Sequence, residues 1–203
     1  LAFFFYIDGV YTIIDMATKF GSALGLEMPS LLIALLVTQI VAFPSAIAFG
    51  VLTKKVSDAK LIAVCIAAYT FVGFFAVFLY HEWQFWVLAV MVGLFQGGIQ
   101  ALSRSYFAKL VPAEKSGEYF GVFDIFGKGA AFLGTLLFGV TTDIALACGA
   151  GDGLALHLSI LPVATLFVVG FVLFLYAAKQ PDPVFGDADG ANSAGPADFA
   201  DGD

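Results

Sequence analysis

Gln96, Gln100, Ser103 and Arg104 recur at helical spacing inside an apolar stretch, Trp86 to Leu110. At about 100° per residue they share roughly a 100° arc of one helix face. Carboxamides and a hydroxyl can hydrogen-bond a polar solute, and a guanidinium can hold or gate a charge. A second row, Asp8, Thr12, Asp15 and Lys19, falls within roughly a 60° arc, and Tyr11 joins these candidates. A third holds Asp124, Lys128, Thr135 and Thr142, with Lys128 one turn after Asp124, a spacing that suits an ion pair. Thr38, Gln39 and Ser45 form a milder set, with Pro44 as a kink candidate. The residues suited to binding a solute or carrying a coupling proton are therefore Asp8, Tyr11, Asp15, Gln39, Gln96, Gln100, Asp124 and Lys128.

Polar groups within a bilayer also simply join helices, each hydrogen bond contributing about 0.6 kcal/mol. Asp124 with Lys128 alone could be structural. Three rows on one chain favour a solute pathway, because a charge near the bilayer centre costs about 3 kcal/mol and must face protein or a wet cavity. Gly93 with Gly97, Gly117 with Gly121, and Ala130 with Gly134 are small-residue pairs that packing explains.

Catalytic chemistry finds little support. Asp8 and Asp124 are the serious candidates for paired carboxylates, and neither lies in a protease motif. Cys65 is placed mid-span and Cys148 in a loop, while His81 and His157 stand alone near span ends. Neither a disulfide framework nor a metal site follows. No enzyme activity, cofactor or nucleic-acid partner is expected.

The elements that must position these residues are membrane helices. The chain is 61% hydrophobic and 12% charged over 203 residues, with a mean hydropathy of +0.96; soluble domains carry about 25% charged residues. Six apolar stretches, 1–20, 30–53, 59–80, 84–108, 118–142 and 155–178, each have about the 20 residues that a bilayer core demands. The expected fold is an all-α membrane bundle of six transmembrane helices over 1–180. The third and sixth spans lack charge and are expected to act as outer supports. Residues 181–203, with Asp182, Asp187, Asp189, Asp198, Asp201 and Asp203, form an acidic tail expected to be disordered. Without it, 10 acidic and 9 basic residues nearly balance, so the net charge of −7 belongs to the tail.

Lys54, Lys55 and Lys60 surround the second connection, Arg104, Lys109 and Lys115 the fourth, and Lys179 follows the last span. The odd connections carry Glu27, His81 with Glu82, and Asp143 with Asp152. By the positive-inside rule both chain ends are cytoplasmic. Tyr80, Trp83 and Trp86 anchor the opposite interface, and a turn is expected from Pro112 to Gly117. The chain opens at Leu1 within an apolar stretch, without an initiating Met or signal pattern, which predicts a piece whose N-terminal part is missing.

Three stretches carry a resemblance: Phe5-Tyr6-Ile7-Asp8-Gly9-Val10; Gly93-Leu94-Phe95-Gln96-Gly97-Gly98-Ile99-Gln100-Ala101-Leu102-Ser103-Arg104-Ser105; and Lys115-Ser116-Gly117-Glu118-Tyr119-Phe120-Gly121 continuing to Phe126-Gly127-Lys128. The chain resembles the major facilitator superfamily transporters akin to the autophagy-related vacuolar amino-acid effluxer. Gly50 to Ser57 is a weakened form of the superfamily pattern G-x-L-A-D-R-x-G, with Lys54 in place of its acidic residue and Ser57 in place of its glycine. The resemblance implies the C-terminal half of a twelve-helix fold, whose missing partner is an N-terminal six-helix half. The solute site then lies near the midplane between the halves. It also implies amino acids or similar small polar solutes as cargo, moved by alternating access, with a proton as a candidate coupling ion. Arg104, Lys54 and Lys55 become gating or anchoring candidates at the cytoplasmic end. A multi-pass protein of the cell membrane rather than the vacuolar membrane is expected. The competing reading is a membrane scaffold or partner-binding module without a transport cycle.

Overall fold

The computed structural model describes residues 2–111 and 115–179, apart from the Ala131 side chain. Its elements are α1 (Ala2–Ala23), α2 (Met28–Leu52), α3 (Asp58–Val77), α4 (Glu82–Leu110), α5 (Ser116–Ala147), α6 (Asp152–Leu158) and α7 (Ile160–Lys179). The acidic tail and most of the turn at Pro112 lie outside the described residues.

Local chemistry sets the boundaries. α1 and α5 end where Gly25 and Gly149 adopt φ of 88° and 86°, a region that glycine enters without steric cost. At each end the next residue closes a six-residue loop, Leu26 N–H donating to Gly21 O and Ala150 N–H to Ala145 O. This arrangement satisfies helix carbonyls that would otherwise be orphaned. Proline opens α2 in its first turn, where no helical donor is lost.

Among the described residues, five helical segments are long and apolar enough to cross a membrane: Met28–Leu52, Asp58–Val77, Glu82–Leu110, Ser116–Ala147 and Asp152–Lys179. α1 has 22 residues but carries Asp8, Asp15 and Lys19, so composition alone does not place it in lipid. The last span is not one unbroken helix, as the apolar run 155–178 suggested. It breaks at Ser159 between α6 and α7, because Pro162 has no N–H to offer the preceding turn.

In space the helices neighbour one another in the order α2, α4, α3, α7, α1, α5. α3 and α7 form an apolar back layer, with the Tyr69 and Phe167 rings stacked at 5.5 Å and Gly73 set against Ala164. Their other faces are exposed and apolar, as at Phe71 and Val172, which suits lipid contact. α2 is largely exposed, with Phe43 at 73%, and is held mainly by α4. An alanine Cβ at Gly97 would lie 2.1 Å from Ala42 O, and one at Gly93 2.6 Å from Thr38 O. Thr38 Oγ1 donates to Ala89 O at 3.2 Å, and Ser45 Oγ donates to Leu94 O. A Cβ at Gly117 or Gly121 would meet nothing within 4 Å among the described residues. Of the three small-residue pairs, that one is not a helix contact here.

Candidate functional site

The row on α1 is directed at α5. Asp8 is 0% exposed and Thr12 1%, and both reach α5 at Gly134. A Cβ there would lie 2.1 Å from Thr12 Oγ1 and 3.2 Å from Asp8 Oδ2. Neither carboxylate oxygen of Asp8, nor Thr12 Oγ1, makes a well-formed hydrogen bond among the described residues. The two helices run parallel, since Phe3 stacks on Phe123 and Phe20 meets Phe138. Further along the row, Asp15 and Lys19 are exposed. The Lys19 Nζ lies 5.7 Å from the centre of the Phe138 ring, an arrangement that favours a cation.

α4 divides its polar row by depth. Ser103 is buried and shares a 2.7 Å hydrogen bond with Tyr6 OH, tying α4 to α1. Gln96 is 8% exposed, and its Oε1 accepts no hydrogen bond among the described residues. Gln100 is half-buried and Arg104 exposed. Arg104 lies 3.7 Å from Asp124 of α5.

That last contact corrects the expected pairing of Asp124 with Lys128. Asp124 meets the guanidinium of another helix, and Lys128 is exposed with no ion pair among the described residues. The physical reason is reach. A long arginine can cross between helix ends, whereas neighbours on one helix remain held at its surface. A second ion pair escaped sequence reasoning: Lys109 Nζ lies 2.7 Å from Asp58 Oδ2. Its available signal was an acidic residue in the first turn of α3 and a basic one in the last turn of α4, each on the favourable helix pole. Lys54 and Lys55 are exposed at the turn between α2 and α3.

A mainly apolar cavity of about 70 Å³ opens beside α1, α2 and α4, lined by Thr12, Thr18, Thr38, Gln39, Leu88 and Val92 among others. It lies toward the end bearing the α1–α2 and α3–α4 connections. Gln39 is exposed and Tyr11 half-buried. Asp8, Gln96 and Gln100 do not line the cavity. The three polar rows therefore do not converge on one open wall: α1 faces α5, part of α4 faces α1, and Thr142 of α5 shares a 2.7 Å hydrogen bond with Ser159.

Residues 1–180 match the family described as "Vacuole effluxer Atg22 like". The chain belongs to the Atg22-like family. It is 45% identical over 180 residues to the "Uncharacterized MFS-type transporter YxiO" of Bacillus subtilis (strain 168), a match covering 89% of this chain and 40% of that protein. It is 42% identical over 77 residues to Autophagy-related protein 22 of Saccharomyces cerevisiae (strain ATCC 204508 / S288c), covering 37% of this chain and 15% of the relative. The Vanderwaltozyma polyspora protein of the same name is 27% identical over 155 residues, covering 70% and 30%. The chain thus spans less than half the length of these relatives. No solved structure matches it. An Atg22-like chain with five helical segments of membrane-crossing length and composition is a multi-pass membrane protein.

Proposed function

We propose that this Atg22-like protein is a secondary transporter. It moves amino acids or similar small polar solutes by alternating access, with these helices as the C-terminal of two six-helix halves and α1 as one of the six spans. The reading rests on Gln96. Burying a carboxamide oxygen without a hydrogen-bond partner costs about 1–3 kcal/mol, and in a bundle built of Leu, Val and Phe that cost is unnecessary unless a ligand repays it. The relatives add that one is named an MFS-type transporter, and the family description names an effluxer.

In this reading Gln96 and half-buried Gln100 hydrogen-bond the solute near mid-membrane, from the face of α4 that Ser103 shows to turn toward α1. Tyr11, Gln39 and Lys128 are available to a facing half. Asp8 is the best placed coupling carboxylate, because Asp15 is exposed and Asp124 is engaged by Arg104. The lysines at the α2–α3 and α4–α5 connections support a cytoplasmic side for those connections and for both chain ends, and the membrane in this reading is the cell membrane. There Arg104 with Asp124 gates the cytoplasmic side, and Lys54 and Lys55 anchor it. The protein is a carrier and not an enzyme.

The test is counterflow of labelled amino acids by the full-length protein in liposomes. Gln96→Leu should abolish it while the variant inserts and unfolds normally. Undiminished counterflow would remove Gln96 from the site. A wild type that moves no amino acid or small polar solute would favour the scaffold reading.

A further inference from the structure

We propose that Asp8 and Thr12, packed where α1 meets Gly134 of α5, form a binding site for a small monovalent cation, a proton or a sodium ion, whose occupancy holds α5 against α1. Thr12 follows Asp8 by one turn, so carboxylate and hydroxyl reach the same point of α5. There Gly134 leaves room for them, since a Cβ would lie 2.1 Å from Thr12 Oγ1 and 3.2 Å from Asp8 Oδ2. Both side chains are buried, at 0% and 1% exposure; Thr12 Oγ1 makes no hydrogen bond among the described residues, and the Asp8 carboxylate makes no well-formed one, having only a backbone contact at Gly134. A buried carboxylate without a counter-charge is strongly unfavourable. Something positive must reach it.

No basic side chain among the described residues does so. On α1, Lys19 sits over the Phe138 ring and Asp15 is exposed. On α5, Asp124 pairs with Arg104, while Lys128 and Asp143 are exposed. α2 carries no charge, and α7 none before Lys179 at its last residue. α3 and α4 keep Asp58, Lys60, Glu82 and Lys109 near their ends. The other titratable side chains on the packed helices include Tyr6, bonded to Ser103, Tyr69, whose hydroxyl donates to Val92 O, buried Cys65 and half-buried Tyr11. One carboxylate beside one hydroxyl balances one positive charge and would leave a divalent ion such as calcium uncompensated.

The α2–α4 seam is the internal control. Its hydroxyls are satisfied without any ion, Ser45 donating to Leu94 O of α4 and Thr38 to Ala34 O of its own helix or Ala89 O of α4. The α1–α5 seam is not. When its cation leaves, the carboxylate must reach water or a new partner, and α5 parts from α1. The device rests on the transport reading for its purpose, while its chemistry needs no solute.

The test is cross-linking across the seam in the full-length protein in lipid nanodiscs. Phe4→Cys and Phe126→Cys supply a thiol pair, their native rings being 6.1 Å apart, with Cys65→Ala and Cys148→Ala removing the other thiols of this chain. Yield with a short bifunctional reagent is read in one arm against pH without sodium, and in the other against sodium at fixed alkaline pH. One of the two arms should raise the yield at least about threefold, as for a ligand that binds one conformer only, and that arm names the cation. Asp8→Asn should cross-link fully and ignore both. Gly134→Ala should cross-link poorly and also ignore both, which keeps the test decisive if Asp8→Asn does not fold. A wild type indifferent to both cations, or an Asp8→Asn protein that still responds, would overturn the site. Cation response in a protein that transports nothing would instead leave the site standing and remove the transport reading.

Discussion

Lys109 Nζ lies 2.7 Å from Asp58 Oδ2, joining the last turn of α4 to the first residue of α3. The two partners differ in burial, the Asp58 side chain being 6% exposed and Lys109 63%. Removing one partner of a buried pair is harmful when the remaining charge cannot reach water. Lys109→Met would strand Asp58, whereas Asp58→Asn leaves a lysine already in solvent. Because the helix pole also supports Asp58, Lys109→Met should destabilise by roughly 1–2 kcal/mol, and Asp58→Asn by about half as much. Thermal unfolding of the two variants in the same detergent decides it, and a larger loss for Asp58→Asn would contradict the asymmetry.

The α2–α4 seam depends on backbone approach. Gly97→Ala would force a Cβ against Ala42 O, and backbone cannot swing aside as a side-chain tip can. The cost should be about 1–3 kcal/mol. Gly121→Ala, with nothing within 4 Å, is the matched comparison and should unfold within about 0.5 kcal/mol of wild type. Equal losses in the two variants would show that helix propensity, and not contact, sets the penalty.

Arg104 and Asp124 are 67% and 51% exposed at 3.7 Å, a geometry in which solvent screens most of the attraction. Asp124→Asn should change stability by less than about 1 kcal/mol, with the difference shrinking as salt is added. A loss of several kcal/mol that salt does not touch would mean that the pair is a structural clasp. The proposed gating role predicts an altered balance of inward- and outward-open accessibility in a protein of near-normal stability.

The sequence alone determined the membrane class and the all-helical make-up. These follow from composition, run length and charge, which are local or additive properties of the chain. It also identified Asp8, Gln96 and Arg104 as residues with no cheap place in lipid. Only the tertiary structure decided what each one faces. Helical periodicity gives an angle on one helix and carries no information about the neighbour across the seam. Asp124 therefore read as a partner of Lys128 when it belongs to Arg104 on another helix. Asp58 and Lys109 are 51 positions apart and met only when α3 and α4 packed side by side. Gly134 looked like half of a packing pair; the fold placed it where Asp8 and Thr12 converge. A small residue opposite a carboxylate is a relation between helices, and such relations exist only once the helices are assembled.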